Sequence, residues 1–170
     1  PKPLELYRDC AFHLVDKFLG WEVTAPVVPF NSKELGKGVI RPYWRLARTF
    51  EDYQLNNSSM NGDFWIKAAV LDFMCGVVDR NHNDILLVDV EECVLIDSGL
   101  SFVSGINFLA QKSVLRERIM GREIPRHLIN DIRLIHKSSL ARALKRYLGL
   151  KEKKSFLARA ELTRERAQIL

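Results

Sequence analysis

Acidic side chains are concentrated in residues 77–102, a segment that otherwise has the composition of a buried sheet. It reads VVDRNHNDILLVDVEECVLIDSGLSF, with four aspartates, a histidine and two asparagines between runs of Val, Ile and Leu. Ionised carboxylates are rarely buried unless they are paired or bound to a metal. Either all of these side chains point to water, or some of them bind a cation.

Three of the aspartates fall where loops meet the expected elements. Asp79 follows an apolar helical stretch, Asp84 precedes the strand 85–88, and Asp97 follows the next strand. If the two strands pair as a hairpin, Asp84 and Asp97 lie at the same end of it, with Asp79 beside them. Carboxylate oxygens suit Mg²⁺, and a carboxylate without metal can orient a hydroxyl or accept its proton. The spacing favours a phosphate-handling metal site, although three such aspartates also fit solvated turns.

The flanking segments predict the elements that position these residues. The period of apolar residues indicates a helix over 4–19 that ends at Gly20, and a deeply buried helix over 61–78. WEVTAPVVPFN is typical of an edge strand, and it forms a hairpin with VIRPYW across the turn SKELGKG. ILLVD and CVLID predict two short strands, and the chain after Gly99 is helical to its end. The fold class is α+β: a small hairpin-and-helix region, then a larger helical region with a short β-ribbon.

The composition indicates an ordinary globular domain in a reducing compartment. The 170 residues are 47% hydrophobic and 28% charged, which allows one domain with a real core. The three cysteines show neither zinc-ligand spacing nor a disulfide framework. No apolar run reaches the roughly 18 residues of a transmembrane helix. We therefore expect a cytoplasmic protein.

Charge is distributed unevenly along the chain. Residues 1–110 contain 10 Lys and Arg against 15 Asp and Glu, whereas residues 111–170 contain 16 against 6. A basic half of this kind can bind phosphate-bearing partners such as nucleic acid or an anionic membrane. The same pattern also fits the solvated faces of helices.

Two motifs carry a resemblance to a known family. DRNHND followed by LIDSG resembles the catalytic and metal-binding loops of the phosphatidylinositol 3-/4-kinase-like branch of the protein-kinase-like fold. Bacterial members of unassigned substrate and secretory-pathway kinases are similar. LYRDCAFHLVDKFLGWEVTAPVV resembles the αC helix and next strand of the bacterial members, and KGVIRPYW resembles the strand before the adenine-binding hinge. The resemblance covers most of residues 6–102, and the tail matches only in character.

The resemblance implies a protein-kinase-like fold with ATP and Mg²⁺ as cofactors. Residues 1–44 would form a truncated small lobe, and residues 45–170 the large catalytic lobe with a helical tail. Asp79 would orient or deprotonate the acceptor hydroxyl, and Asp97 would bridge Mg²⁺ to the ATP phosphates. Asp84 takes the place of the family's second-metal Asn, a change that favours Mn²⁺ or two cations. Arg80 and His82 would support the catalytic loop or touch phosphate.

The nucleotide side of the resemblance is less complete. Arg41, Tyr43, Trp44 and Asp9 are the residues expected to contact the nucleotide, with the two aromatic rings near adenine. Asp9 stands where the family's αC Glu pairs with a strand Lys, and neither that Lys nor a glycine-rich loop is found. The partner of Asp9 is therefore expected before Pro1, in a longer chain, unless the protein has dispensed with it.

The leading expectation is an ATP- and Mg²⁺-dependent kinase acting on a hydroxyl of a protein, lipid or small molecule, with nucleic acid an unlikely partner. One alternative is a catalytically impaired, pseudokinase-like binding module with a basic helical tail. Another is a metal-dependent phosphohydrolase that uses the same carboxylates without a nucleotide. The sequence carries no signal for an oligomeric state.

Overall fold

The computed structural model describes residues 3–50, 62–89, 92–104, 112–119, 121–135 and 139–166. It is a mixed structure of helices and small sheets, which confirms the α+β class. The helices are α1 (Pro3–Leu19), α2 (Gly62–Cys75), α3 (Val114–Ile119), α4 (Arg126–Leu134), α5 (Leu140–Ala143) and α6 (Leu150–Arg166), with 3₁₀ turns at His82–Asp84 and Leu144–Arg146. The strands are β1 (Val28–Ser32), β2 (Gly36–Ile40), β3 (Arg48–Thr49), β4 (Asp79–Arg80), β5 (Ile85–Leu87), β6 (Cys93–Leu95) and β7 (Lys112–Ser113).

The first helix and the buried helix form as the apolar spacing predicts. α1 ends before Gly20, whose φ of +67° is the left-handed conformation that glycine adopts at helix C-termini. α2 is buried along most of its length and packs against both α3 and α6. These helices form the centre of the core, from which the site loops emerge.

The hairpin is present, but it is shorter than the sequence predicts. β1 and β2 pair antiparallel from Val28↔Ile40 to Ser32↔Gly36, so residues 21–27 and 41–44 lie outside it. Residues 23–25 instead follow β6: the Leu95 N–H donates to the Val23 carbonyl at 2.8 Å, and the Ala25 N–H donates to the Leu95 carbonyl at 2.9 Å. The apolar run therefore divides between two neighbours, a choice that strand propensity does not encode.

The ribbon that carries the aspartates is confirmed. β5 and β6 pair antiparallel in the register Ile85↔Leu95, and β3 joins the other edge of β5. A parallel pairing of β4 with β7 was not expected; it connects Asp79–Arg80 to Lys112–Ser113. Two-residue strands of this kind have no sequence signal of their own.

The helical tail is confirmed in character and corrected in detail. Residues 140–146 are divided into α5 and a 3₁₀ turn, and Ser139 makes no side-chain cap. α6 begins at Leu150, directly after Gly149. Among the described residues, no helix is both long and apolar enough to cross a bilayer.

Candidate functional site

A cleft of about 500 Å³ lies between α1, the end of β2 and the two acidic loops. Asp79 and Asp97 both line it, as do Asp9 and Arg41. Its other lining residues are Glu5, Leu6, Val39, Ile96, Gly99 and Leu100. The cleft therefore brings together residues that are distant in sequence.

The ribbon places Asp84 and Asp97 at the same end, as expected. The Ile96 N–H donates to the backbone carbonyl of Asp84 at 2.8 Å, which continues the β5–β6 ladder by one residue. Asp97 then turns out of the strand with a φ of +50°, a left-handed conformation that is uncommon for residues other than glycine. Strained positions of this kind are often found at functional sites.

Asp84 also closes the 3₁₀ turn at His82–Asp84. Its Oδ2 accepts the Asn81 backbone N–H at 3.0 Å and the Asn81 side-chain amide at 2.7 Å. The Asn81 Oδ1 in return accepts the Asn83 N–H at 2.9 Å. Asn81 and Asp84 thus cap the 3₁₀ turn reciprocally, and these hydrogen bonds fix the backbone that carries Asp84.

The acidic residues influence one another electrostatically. Burial raises the pKa of Asp79 above 3.8, and the nearby Asp97 charge raises it further against the opposing effect of Arg80. Burial likewise raises the pKa of Asp84, with Asp97 and Asp79 adding to the rise against the Asn81 hydrogen bond and Arg80. A bound cation would relieve this repulsion.

Arg80 connects the loop that carries Asp79 to the loop that carries Asp97. Its guanidinium has no exposed surface and forms an ion pair with Asp72 at 3.0 Å. It also donates to the Ile96 carbonyl at 2.5 Å and to the Ser98 Oγ at 3.1 Å, one residue on each side of Asp97. Of the two roles expected for Arg80, this burial supports loop bracing and leaves no surface for contact with phosphate.

Asp72 is the hydrogen-bonded core carboxylate that its place on an apolar helix predicts. It is 1% exposed, and its Oδ2 also accepts the Ser113 hydroxyl at 3.0 Å. Ser98 and Ser113 were missed in the sequence because single serines carry no motif. Burial alone would lower the pKa of Arg80, but the charge and hydrogen bonds of Asp72, together with the charges of Asp84 and Asp79, raise it.

Within the described residues, Asp9 already has a charged partner. Arg41, which directly follows β2, forms an ion pair with the Asp9 Oδ2. The Asp9 Oδ1 accepts the Ser98 N–H at 2.7 Å. Burial nevertheless raises the pKa of Asp9. The Arg41 Nε is buried and has no hydrogen-bond acceptor among the described residues, so an anionic ligand atom would complete its bonding.

Five other expected residues do not line this cleft: Arg80, Asp84, His82, Tyr43 and Trp44. His82 is exposed and stacks on Phe50, with ring centroids 5.5 Å apart and an interplanar angle of 15°. Tyr43 is 88% exposed. Trp44 lines a separate cavity of about 440 Å³ beside Lys17 and Glu92.

The residues of the cleft fit a divalent cation together with an anionic ligand. Four carboxylates and one guanidinium line it, so a polyphosphate would be repelled unless cations entered with it. Among the described residues, no three His, Cys, Asp or Glu side chains form a group that could hold a metal ion. Mg²⁺ commonly uses one or two carboxylates and takes its remaining ligands from water and phosphate, a pattern that this donor set allows.

Comparison with known proteins does not assign this site. No family model matches the chain, and no curated protein matches it. The cleft and the resemblance of its two loops are therefore the features that bear on function.

Proposed function

We propose that this protein is an ATP- and Mg²⁺-dependent phosphotransferase that acts on a hydroxyl group. The observation that carries the proposal is the convergence of Asp79 and Asp97, from separate loops, in one cleft. The resemblance of DRNHND and LIDSG to kinase loops supports the same reading. It also supports a protein-kinase-like fold with a partial small lobe.

Each acidic residue has a role that its position allows. Asp97 and Asp84 would hold the metal, since they leave the same end of the ribbon. Mg²⁺, or Mn²⁺, would neutralise phosphate charge during transfer. Asp79 would accept the proton of the acceptor hydroxyl or orient it, and its raised pKa brings it closer to the range of an effective general base.

The proposal is tested by phosphate transfer from radiolabelled ATP, with Asp79→Asn as the variant. We expect transfer to fall by about 10²–10⁴-fold, the usual contribution of a general acid or base, while nucleotide binding persists. Asp89→Asn is the matched control, because Asp89 is exposed in the turn after β5 and does not line the cleft. Equal transfer by wild type and Asp79→Asn, or release of phosphate from simple esters without ATP, would reject the kinase assignment.

A pseudokinase-like binding module is the second candidate. The observation in its favour is that Arg41, from the hinge-like segment, satisfies Asp9, so the pair is complete without a strand lysine. This module would bind a nucleotide and transfer no phosphate. Its affinity for the nucleotide would be the same in wild type and Asp79→Asn, and neither would transfer phosphate.

The compartment and partners follow from the same proposal. The three cysteines are free and buried, which is consistent with the reducing cytoplasm. ATP and a hydroxyl-bearing protein, lipid or small molecule are the proposed partners, and nucleic acid is not among them.

A further inference from the structure

In the segment from Ser139 to Lys154, buried residues alternate with exposed ones, and most of the exposed residues are cationic. The buried residues recur every four positions across α5, the 3₁₀ turn and the start of α6: Leu140, Leu144, Leu148 and Glu152. The three leucines anchor the segment to the core. Five basic side chains, between these positions or shortly after Glu152, are exposed to solvent.

Those five side chains form what we term the basic face. It consists of Arg142, Lys145, Arg146, Lys151 and Lys154, all exposed. None of them forms an ion pair with another residue of the described ranges. Their charges are therefore available to an external partner.

The single acidic residue of this segment does not neutralise the basic face. Glu152 is 9% exposed, and its Oε1 accepts the Arg8 Nη2 at 2.7 Å on the protein side of α6. Its Oε2 accepts the Gly149 N–H at 2.8 Å. The carboxylate is thus used inside the protein, and the outward charge remains fully positive.

An exposed leucine distinguishes between anionic partners. Leu150 is 64% exposed at the first residue of α6, directly beside Lys151. An apolar side chain among cations suits a bilayer surface, where it enters the acyl boundary while lysines contact anionic headgroups. Single-stranded nucleic acid instead requires exposed aromatic rings for stacking. Tyr147 is half-buried with its ring centroid 6.5 Å from that of Tyr7, so the segment offers no such ring.

We propose that the basic face, together with Leu150, docks this protein onto an anionic lipid bilayer. The attraction comes from the five cations and is screened by salt. Leu150 adds an apolar contact that is independent of salt. This inference does not depend on the proposed phosphotransferase activity.

The test is sedimentation of the protein with vesicles of phosphatidylcholine containing 30% phosphatidylserine, at about 0.1 M salt and again at higher salt. We expect binding that requires phosphatidylserine and weakens as salt rises. Lys145→Glu with Arg146→Glu should weaken it by about tenfold or more, given a contribution of ~1 kcal/mol per basic residue near the surface. Leu150→Ala should weaken it by a smaller factor at both salt concentrations.

The control variant carries Lys33→Glu with Lys37→Glu, which changes the charge equally at exposed positions of the hairpin. It should bind vesicles like the wild type. The proposal is overturned if the protein does not bind the vesicles, or if the control variant loses as much vesicle binding as the basic-face variant. It is also overturned if Leu150→Ala does not change vesicle binding. Tighter binding to a single-stranded oligonucleotide than to the vesicles would overturn it in favour of nucleic acid.

Discussion

Arg80 is the residue that holds the acidic cleft in shape. It contacts the backbone before Asp97 and the side chain after it, and its charge is balanced by Asp72 on α2. An ion pair this deeply buried contributes little net stability, but removal of one partner leaves the other charge unpaired in the core. The pair therefore makes the position of Asp97 dependent on α2.

Asp72→Ala should lower the free energy of unfolding by about 3–5 kcal/mol, because it leaves Arg80 buried without its counter-charge. Urea denaturation measures this change. Asp63→Ala is the control on the same helix, where the carboxylate is half exposed, and it should cost less than about 1 kcal/mol. Equal losses for the two variants would mean that Arg80 does not rely on Asp72.

Asp79 should reduce the stability of the protein without metal at neutral pH. Its pKa is raised above 3.8 by burial and by Asp97, so its ionised form is less favourable in the folded than in the unfolded chain. Asp79→Asn should accordingly raise the melting temperature at pH 7. The gain should shrink as the pH falls through the raised pKa, and it should stop changing below 3.8, where both states are protonated.

Thermal melts of wild type and Asp79→Asn between pH 7 and pH 3.5 measure this difference. Asp89→Asn, in the exposed turn, serves as the comparison. A lower melting temperature for Asp79→Asn at pH 7 would show that the ionised carboxylate stabilises the fold. That result would contradict the expectation that ionised Asp79 is unfavourable in the folded chain.

At the level of elements, Arg159 of α6 fixes the end of α2 and the loop that follows the site. It is fully buried and donates to the Met74 carbonyl at 2.9 Å and to the Val103 carbonyl at 3.1 Å. A Cβ at Gly76 would lie 2.6 Å from its Nη2. Arg159 can therefore approach the end of α2 only because residue 76 is glycine.

Gly76→Ala should destabilise the protein more than Gly20→Ala does. Both glycines follow a helix, with φ of +65° and +67°, but nothing lies within 4 Å of a Cβ at Gly20. Left-handed backbone costs alanine about 1–2 kcal/mol at either position. The overlap with Arg159 should add about 1–3 kcal/mol at Gly76. Equal unfolding free energies for the two variants would show that Arg159 moves aside freely.

Elements with strong local signals could be predicted from the sequence, and those set by tertiary contacts could not. α1, α2 and the β5–β6 ribbon follow from apolar spacing and from Gly20. The parallel β4–β7 pairing depends on Ser113 reaching Asp72, which is a contact between distant residues. Residues 23–25 follow β6 and residues 28–32 pair with β2, and this division depends on which strand the folded chain places beside each part.

The same contrast applies to the site. Asp79, Asp84 and Asp97 could be found because their loops have a recognisable order around two apolar strands. The pairing of Asp9 with Arg41 spans 32 positions and has no motif, so only the fold shows it. His82 was expected at the site from the resemblance of its loop, and its stacking on Phe50 depends on tertiary packing that no motif shows.

In the whole molecule, the acidic and basic halves of the sequence contribute to two different candidate binding surfaces. The cleft belongs to the acidic half, and the basic face lies on the tail. α1 connects them, since Arg8 binds Glu152 while the next residue, Asp9, accepts the Ser98 N–H beside Asp97. Metal and nucleotide binding at the cleft is the property on which the proposed function depends.

The most direct test is a titration of ATP with Mg²⁺, and then with Mn²⁺, that follows the melting temperature of wild type, Asp97→Asn and Asp89→Asn. Ligand at about 100 times its dissociation constant stabilises a folded protein by about 2.7 kcal/mol, or about 5–10 °C for a chain of this size. We predict a rise of this order that requires metal, persists in Asp89→Asn and is lost in Asp97→Asn. A rise that needs no metal, or one that Asp97→Asn retains in full, would contradict the placement of a metal–nucleotide site at Asp97.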